Sequence, residues 1–512
     1  MGRRDVDRFV GIDLGTTGVR TVVVDREGAL LADASLEYPL LTPRPGWAEQ
    51  DPRQVVDAML VCCRRALRAA RVPRGTTVAI GLSATFHNVA PFGPDGALIG
   101  NALIWADTRA IRHSDDIKAG HDATALYART GCPMHPMYLA PKIQWLRENG
   151  LGGPSYRSIA EYAAFRLTGV WACNLSVASG TGLLNMERRD WDEEALTIAG
   201  VTRDMLGPLV EPCTMIGRVT ADVASGLGVA RESVVVPGAG DGVLSSLGAG
   251  TIGVGQATVT IGTSGAVRLV AESPRTDRDG RTWCYYLSDG RWVVGAAINN
   301  GGIALRWTIE NLLARRGRSY QRALAEAATV PIGSDGLFFL PFLTGERAPY
   351  WNAQARGVLF GLSIEHRPPH LVRATLEGIA YRMRSIASAV DQVGGPIREC
   401  RATGGYTRAD FWLQLIANVL GRRLSVPSIQ EASALGAAEL AMIGVGALPD
   451  LDAAARFVRV ERSVDPEPAA AKTYDRLFAQ YMDLYFASAL QFTRVADLRR
   501  ELARDAAVAD RT

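Results

Sequence analysis

Residues 9–25, FVGIDLGTTGVRTVVVD, set a Gly-Thr-Thr-Gly turn between two runs rich in Val, Ile and Thr. Such runs favour strands, so the stretch reads as a hairpin with a polar tip. The design returns in the second half of the chain as GQATVTIGTSGAVRLVAE, with Gly262-Thr263-Ser264-Gly265 at the turn. Matched turns between matched strands, each opening about half of the chain, imply a duplicated domain. At 512 residues the chain exceeds one hydrophobic core, and two large domains are expected.

The tips carry chemistry as well as topology. Gly15 and Gly18 allow a backbone tight enough to aim successive N–H groups at one phosphate, and Thr16 and Thr17 add hydroxyl donors. Arg20 follows close to the tip, and Asp13, at the end of a buried strand, is placed to face a hydrated Mg²⁺. An ordinary glycine-containing hairpin explains the first turn alone equally well; the second turn shifts the balance. Two such tips facing each other across a cleft would hold one polyphosphate from both sides. A P-loop is excluded, because it needs Gly-Lys-Ser/Thr and none of Lys118, Lys142 and Lys472 follows a glycine.

Composition narrows the class. A formal net charge of +3 argues against a nucleic-acid partner, and 47% hydrophobic with 21% charged residues is a globular balance. The seven cysteines show no CxxC spacing, so neither a disulfide framework nor a zinc site is indicated. No apolar run reaches the length of a membrane span and no signal-peptide pattern opens the chain, which makes the cytoplasm the expected compartment and leaves no membrane partner.

Along the chain, residues 52–71 and 138–149 have helical periodicity, and residues 76–110 read as strand, polar turn, strand, Asp-Gly turn and strand. His87 falls at one strand end, and Trp105, Asp107 and Arg109 in WADTR follow another apolar run. The loop around Trp47 and Glu49 is either a surface turn or a lid. VVVPGAGDGVLSSLGAG is a strand entering a small-residue helix, with Asp241 at the turn as either helix cap or reacting group. Gly301 and Gly302 open a further helix, and RATGGYTRADFWLQLIANVLGRRLSVP is a strand–helix–strand crossover whose helix begins at Gly404-Gly405. EASALGAAELAMIGVG is a small-residue helix starting near Glu431 or Ser433, and the end of the chain is a solvated helix. His366 and His370 have the spacing of helix-borne metal ligands, but Pro368 and Pro369 between them break that reading.

These residues resemble the FGGY family of carbohydrate kinases, within the actin, Hsp70 and sugar-kinase superfamily. GIDLGTTGVR is similar to the family's first phosphate loop and IGTSG to its second. MYLAPKIQWLREN carries the Lys-x-x-Trp core of one signature in Lys142 and Trp145, and GVLFGLSIEHRPPHLVRATLEG fits another. ATGGYTRADFWLQ resembles the adenosine-binding segment, although Thr403 replaces its third glycine.

The resemblance implies an α/β chain of two duplicated ribonuclease-H-like domains flanking a central cleft. Residues 1–250 would bind the sugar and carry the first phosphate loop, residues 251–490 would bind the nucleotide, and residues 491–512 would form a tail. Asp241 is implied as catalytic base and Asp13 as the Mg²⁺-associated aspartate. Gly15, Thr16, Thr17, Gly18, Arg20, Gly262, Thr263, Gly302, Arg306, Gly404 and Gly405 would border ATP. Phe86, His87, Trp105, Asp107, Arg109, Asp241 and Gly242 would form the acceptor wall, with Asp107 on hydroxyls and an Arg or His facing a carboxylate. Phe86-His87 stands where the glycerol-handling branch has an Arg-Glu pair. The details resemble the branch acting on gluconate more than the xylulose branch, so the implied reaction is ATP-dependent phosphorylation of a sugar acid. The runner-up acceptor is a ketopentose or polyol. An actin-like ATPase and a regulatory protein derived from a sugar kinase are the other classes, and the oligomeric state stays open, a homodimer among the choices.

Overall fold

The computed structural model describes residues 6–315, 319–428 and 431–509. Two compact units make up the chain: Met1–Gln256, Arg268–Val294 and Ser428–Arg459 in the first, and Ala257–Val267, Gly295–Pro427 and Val460–Thr512 in the second.

The first unit is built on a six-stranded sheet in the order Gly217–Arg218, Val234–Gly240, Val78–Ala84, Arg8–Leu14, Gly18–Val24, Leu30–Glu37. Strands Val234–Gly240, Val78–Ala84 and Arg8–Leu14 run parallel, while Gly18–Val24 is antiparallel to both neighbours. The parallel strands Val78–Ala84 and Val234–Gly240 are buried at every residue, which is why they read as continuous apolar runs without alternation. Helix Pro52–Ala69 starts on an Asp51 cap with Pro52 in its first position, and Val55, Val56, Met59 and Cys62 join Ile12, Val19 and Val23 in one core cluster.

Glycines shape the opposite face of the sheet. Gly11 and Gly81 are register partners on adjacent strands. A Cβ on Gly11 would lie 1.8 Å from the Ala434 carbonyl oxygen, and one on Gly81 1.9 Å from that of Ala437. The backbone of helix Ala432–Gly444 therefore sits directly on the sheet, a fit that needs two glycines below and small residues above.

A seven-stranded sheet follows the order Trp283–Ser288, Arg291–Ile298, Gly265–Ala271, Gln256–Ile261, Glu399–Thr403, Leu424–Pro427, Val460–Val464. Its inner strands repeat the plan of the first sheet. The hairpin Gln256–Ile261 and Gly265–Ala271 matches Arg8–Leu14 and Gly18–Val24, Glu399–Thr403 lies beside the hairpin as Val78–Ala84 does, and Leu424–Pro427 is parallel to it with an antiparallel edge strand beyond. The expected duplication is thus present in strand order as well as in turn sequence. In the crossover, Gly405–Arg408 forms a short 3₁₀ turn and the helix proper is Asp410–Leu420, so the glycine pair opens the turn and not the helix. Helix Pro468–Ala509 runs without a break through residue 490. The seven cysteines are free, and no helix among the described residues is long and apolar enough to cross a membrane.

Candidate active site

Asp13 and Ser83 face each other in the parallel register, and the Ser83 hydroxyl donates to Asp13 Oδ1 at 2.7 Å. Burial and the neighbouring negative charge of Asp241 push the Asp13 carboxyl up to about 7, against the smaller downward pulls of Ser83 and Arg20. Two strand ends thus bring two carboxyls to one place. Asp241 opens helix Asp241–Leu247 one residue after its cap position, which Gly240 fills; the Gly242 N–H donates to Asp241 Oδ1 at 2.6 Å. Aspartate here stands in the first turn of the helix, and the cap position itself belongs to Gly240.

The Gly15–Gly18 turn is gripped from behind. Gly15 N–H donates to the Gly18 carbonyl at 3.0 Å, Tyr38 OH donates to Gly15 O at 2.7 Å, and Gln50 Nε2 donates to the carbonyls of Gly15 and Thr16 at 3.0 and 2.9 Å. With the carbonyls held this way, Thr17 remains exposed at the tip. Arg20, the cross-strand partner of Asp13, pairs with Glu431 at 2.5 Å. Trp105 Nε1 donates to Thr16 Oγ1 at 3.0 Å, tying the WADTR segment to the turn.

Around Asp241 the wall is aromatic. Phe86 is 6% exposed and wedged between two glycines: a Cβ on Gly180 would come within 2.3 Å of its ring and one on Gly240 within 2.0 Å. His87 adopts a left-handed backbone conformation with φ 63°, uncommon for a residue with a side chain. Its Nδ1 lies 2.6 Å from the Gly180 carbonyl, which requires an N–H there and leaves Nε2, in the neutral ring, as an acceptor 3.5 Å from Tyr285 OH. Tyr285 and Tyr138 hydroxyls lie 2.9 Å apart.

Lys142 holds the His87 carbonyl. Its ammonium, fully buried, donates to the carbonyls of His87 at 2.5 Å and Ile104 at 2.7 Å, joining both candidate wall segments. Burial, with a further push from Arg109 and an opposing pull from Asp107, lowers its pKa to about 7.

Asp107 and Arg109 require a correction. Asp107 is 1% exposed; its Oδ2 accepts from Ala48 N–H at 2.7 Å and its Oδ1 from Arg109 N–H at 3.0 Å, while Arg109 Nε reaches both oxygens. The Arg109 guanidinium also pairs with Glu49 at 2.7 Å and lies 3.6 Å from the Trp47 ring centre and 5.0 Å from that of Trp145. With oxygens and guanidinium spent on these partners, the pair fastens the wall from behind and does not line it. The same contacts pack Trp47 against Arg109 and Trp145, which gives Trp145 of the Lys-x-x-Trp pair its place.

In the second unit the Gly262–Gly265 turn meets the start of helix Gly302–Trp307. Gly302 N–H donates to Gly262 O at 2.7 Å and Gly301 N–H to Thr263 O at 3.1 Å, and a Cβ on Gly302 would lie 2.7 Å from the Gly262 oxygen. Gly404, at φ 99°, passes close to Ile261, where a Cβ would lie 2.5 Å from its carbonyl oxygen, and Gly405 borders open space. Gly262, Thr263, Gly302 and Gly404 are thereby brought together, whereas Arg306 is exposed at the end of its helix beside Tyr320. His366 lies outside helix Pro368–Gly394; its ring nitrogens contact Ser363 and the Ser334 carbonyl, while those of His370 contact Arg367 N–H and Asp335. Among the described residues no group of three or more His, Cys, Asp or Glu could hold a metal by itself.

The sequence reading passed over Arg268, Tyr285, Tyr138 and Gly180. Their signal is thin: Tyr138 sits inside MYLAPKIQWLREN but outside its Lys-x-x-Trp core, and Tyr285 and Gly180 lie in buried stretches. Arg268 is a lone charge inside the otherwise buried strand Gly265–Ala271.

Duplicated sheets, each with a Gly/Thr turn at the tip of its first hairpin, and a carboxylate at a strand-to-helix turn define a two-domain sugar-kinase fold of the actin and Hsp70 type. The N-terminal domain of the FGGY family of carbohydrate kinases matches residues 8–248, and the C-terminal domain of that family matches residues 257–445. The chain belongs to the FGGY family of carbohydrate kinases. It is 35% identical to a gluconokinase of Bacillus subtilis over 96% of this chain and 98% of that one. A gluconate kinase structure from Lactobacillus acidophilus superposes with a TM-score of 0.90 at 32% identity, covering 95% of this chain and 99% of the other. A ligand-bound xylulose kinase structure from the same organism gives the same TM-score, identity and coverage, so likeness of fold does not choose the acceptor.

Proposed function

We propose that this carbohydrate kinase transfers the γ-phosphoryl group of ATP to the terminal primary hydroxyl of a sugar acid, D-gluconate giving 6-phosphogluconate. The observation that carries the reading is Asp241, held at the strand-to-helix turn beside Asp13 and the Phe86–His87 wall. The 35% identity to a gluconokinase over nearly both full lengths supports the choice of acceptor.

Asp241 accepts the proton of the acceptor hydroxyl as that oxygen bonds to the γ-phosphorus, while the bond from phosphorus to the β,γ-bridging oxygen breaks and ADP departs. Phosphoryl transfer asks the protein chiefly for positioning and charge neutralisation, so a carboxylate of ordinary basicity suffices when the proton leaves late. In the first unit the Gly15–Gly18 turn presents its backbone and Thr17 to phosphate; in the second, Gly262, Gly302, Gly404 and Gly405 offer the nucleotide a surface without side chains, with the Thr263 hydroxyl beside it. Mg²⁺, when bound, supplies charge neutralisation across the transferring phosphates. The donor set fits it: Mg²⁺ keeps most of its waters and takes one or two carboxylates, and Asp13, close to the charges of Asp241 and Glu431, is a buried carboxyl whose ionised form a cation would restore. The half-buried His87 ring, with Nε2 as acceptor, can meet an acceptor hydroxyl.

A coupled assay of ADP release over aldonates, ketopentoses, alditols and glycerol, with ATP and Mg²⁺, tests this reading. Gluconate is expected to give the highest kcat/KM. Turnover of xylulose without turnover of aldonates would replace the acceptor, and ATP hydrolysis independent of any sugar would favour an actin-like ATPase.

A further inference from the structure

The Lys-x-x-Trp pair has no role in the transfer of proton or phosphoryl group, yet it sits where the acceptor wall is joined. Lys142 is fully buried on helix Leu139–Glu148, and its hydrogen-bond partners are carbonyl oxygens: His87 at 2.5 Å, Ile104 at 2.7 Å and Leu103 at 3.5 Å. An ammonium has three donors and no acceptor, which suits three carbonyls. One belongs to the His87 segment and two to the segment leading into Trp105, whose Nε1 donates to Thr16 Oγ1 at 3.0 Å. A line of hydrogen bonds thus runs from His87 through the ammonium and Trp105 to the Gly15–Gly18 turn. Trp145, three residues on and on the same side of the helix, lies 5.4 Å from Trp47 and 5.0 Å from the Arg109 guanidinium, and so braces the same segment. Burying a cation is costly, and an apolar side chain of similar reach would fill the space without that cost. What the lysine adds is a set distance between two backbones.

We propose that Lys142 is a positioning residue for phosphoryl transfer: by holding the His87 and Ile104 carbonyls on one ammonium, it sets the acceptor wall in register with the Gly15–Gly18 turn. The proposal rests on the reading of wall and turn given above, whichever sugar fills the site. Register matters because a misplacement of about 1 Å can cost roughly 100-fold in rate. The turn keeps its own supports in Tyr38 and Gln50, so its hold on ATP does not depend on the lysine. The ammonium also titrates in a useful range: burial lowers it to about 7, with Asp107 opposing and Arg109 adding to the fall. Glu49 pairs with that arginine, and the other titratable groups at the junction are the His87 ring and the Tyr138 and Tyr285 hydroxyls beside it. Helices Ile111–Gly120 and Glu193–Ala199 meet the rest of Leu139–Glu148 through His113 on Glu148 and the Ile198 carbonyl on Gln144. Loss of the charge leaves an amine with two N–H donors and weaker bonds to the carbonyls.

The test is steady-state kinetics across about pH 6 to 9 on wild type, Lys142→Met and Lys142→Arg, with the acceptor that gives wild type its highest kcat/KM. Lys142→Met is expected to lose roughly 30-fold in kcat/KM for the acceptor, the scale of one charged hydrogen bond, while KM for ATP stays within about two-fold. In wild type, kcat/KM for the acceptor is expected to fall as pH rises through about 7. Lys142→Met loses that fall, and Lys142→Arg, charged at every pH, loses it too while recovering part of the activity. His87 is present in all three proteins, so the difference between their profiles belongs to the lysine. Equal losses toward ATP and acceptor, one pH profile shared by all three proteins, or two variants that both fail to fold would make Lys142 a structural bolt only and overturn the proposal. Failure of the functional reading is visible earlier and separately, as a wild-type enzyme that phosphorylates no sugar.

Discussion

At the scale of single residues, the site is governed by two carboxyls that cannot both ionise cheaply. Asp13 takes the cost, its pKa raised by burial and by the charge of Asp241. In the proposed reaction Asp241, half-buried at its turn, accepts the proton. Asp241→Asn keeps the shape and removes the basic oxygen pair, so kcat is expected to fall at least about 100-fold, the low end of general-base contributions, while KM for ATP and acceptor stays within a few-fold. Steady-state kinetics decide it, and near-normal turnover would remove Asp241 from the chemistry. Both aspartates were legible in the sequence, because glycines at strand ends advertise a backbone shaped for a ligand. Asp107 and Arg109 were misread for the opposite reason. WADTR shows which charges exist but not that Ala48 N–H, Glu49, Trp47 and Trp145 have already claimed them.

At the scale of elements, periodicity and turn residues told most of the story. The first hairpin, the helices Pro52–Ala69 and Leu139–Glu148, and the strand-to-helix turn at Asp241 all lie where local pattern placed them. What local pattern could not show is which faces meet. Helix Ala432–Gly444 was recognisable by its small residues, yet its seat on Gly11 and Gly81 depends on a register between strands far apart in sequence. That tight seat buries Glu439 completely, with no hydrogen-bond partner for either oxygen among the described residues, and burial raises its pKa well above 4.5. The folded chain therefore holds a proton that the unfolded chain releases above about pH 4.5, so this residue makes stability fall as pH rises from there. Glu439→Leu, similar in reach and without the polar atoms, is expected to stabilise the protein by about 2 kcal/mol near pH 8, with the gain shrinking toward pH 4.5. Thermal midpoints of wild type and variant across that range give the answer; a gain independent of pH, or a loss, would show that the carboxyl has a partner in solution.

At the scale of the whole molecule, the duplication seen in the sequence does not produce two units that are continuous in sequence. The first unit takes its body from residues before 257 but completes itself with Arg268–Val294 and Ser428–Arg459. Those late segments are structural. The Tyr285 ring lies tilted against Phe86 with the ring centres 4.8 Å apart, and helix Ala432–Gly444 covers the glycine face of the sheet. The helix buries Leu435, Leu440 and Met442, each worth about 1.5–3 kcal/mol when taken from water. Against a typical total stability of about 5–15 kcal/mol, the loss of this one element is enough to decide whether the unit folds. A fragment ending at residue 256 would also bare the groove formed by Gly11 and Gly81, where no side chain of the sheet can collapse to fill the gap. Such a fragment is expected to lack a near-ultraviolet circular dichroism signal and a cooperative melt and to bind an apolar dye, whereas the full chain melts cooperatively. A fragment with native-like near-ultraviolet signal and a sharp transition would mean that the late segments dock onto a body already folded.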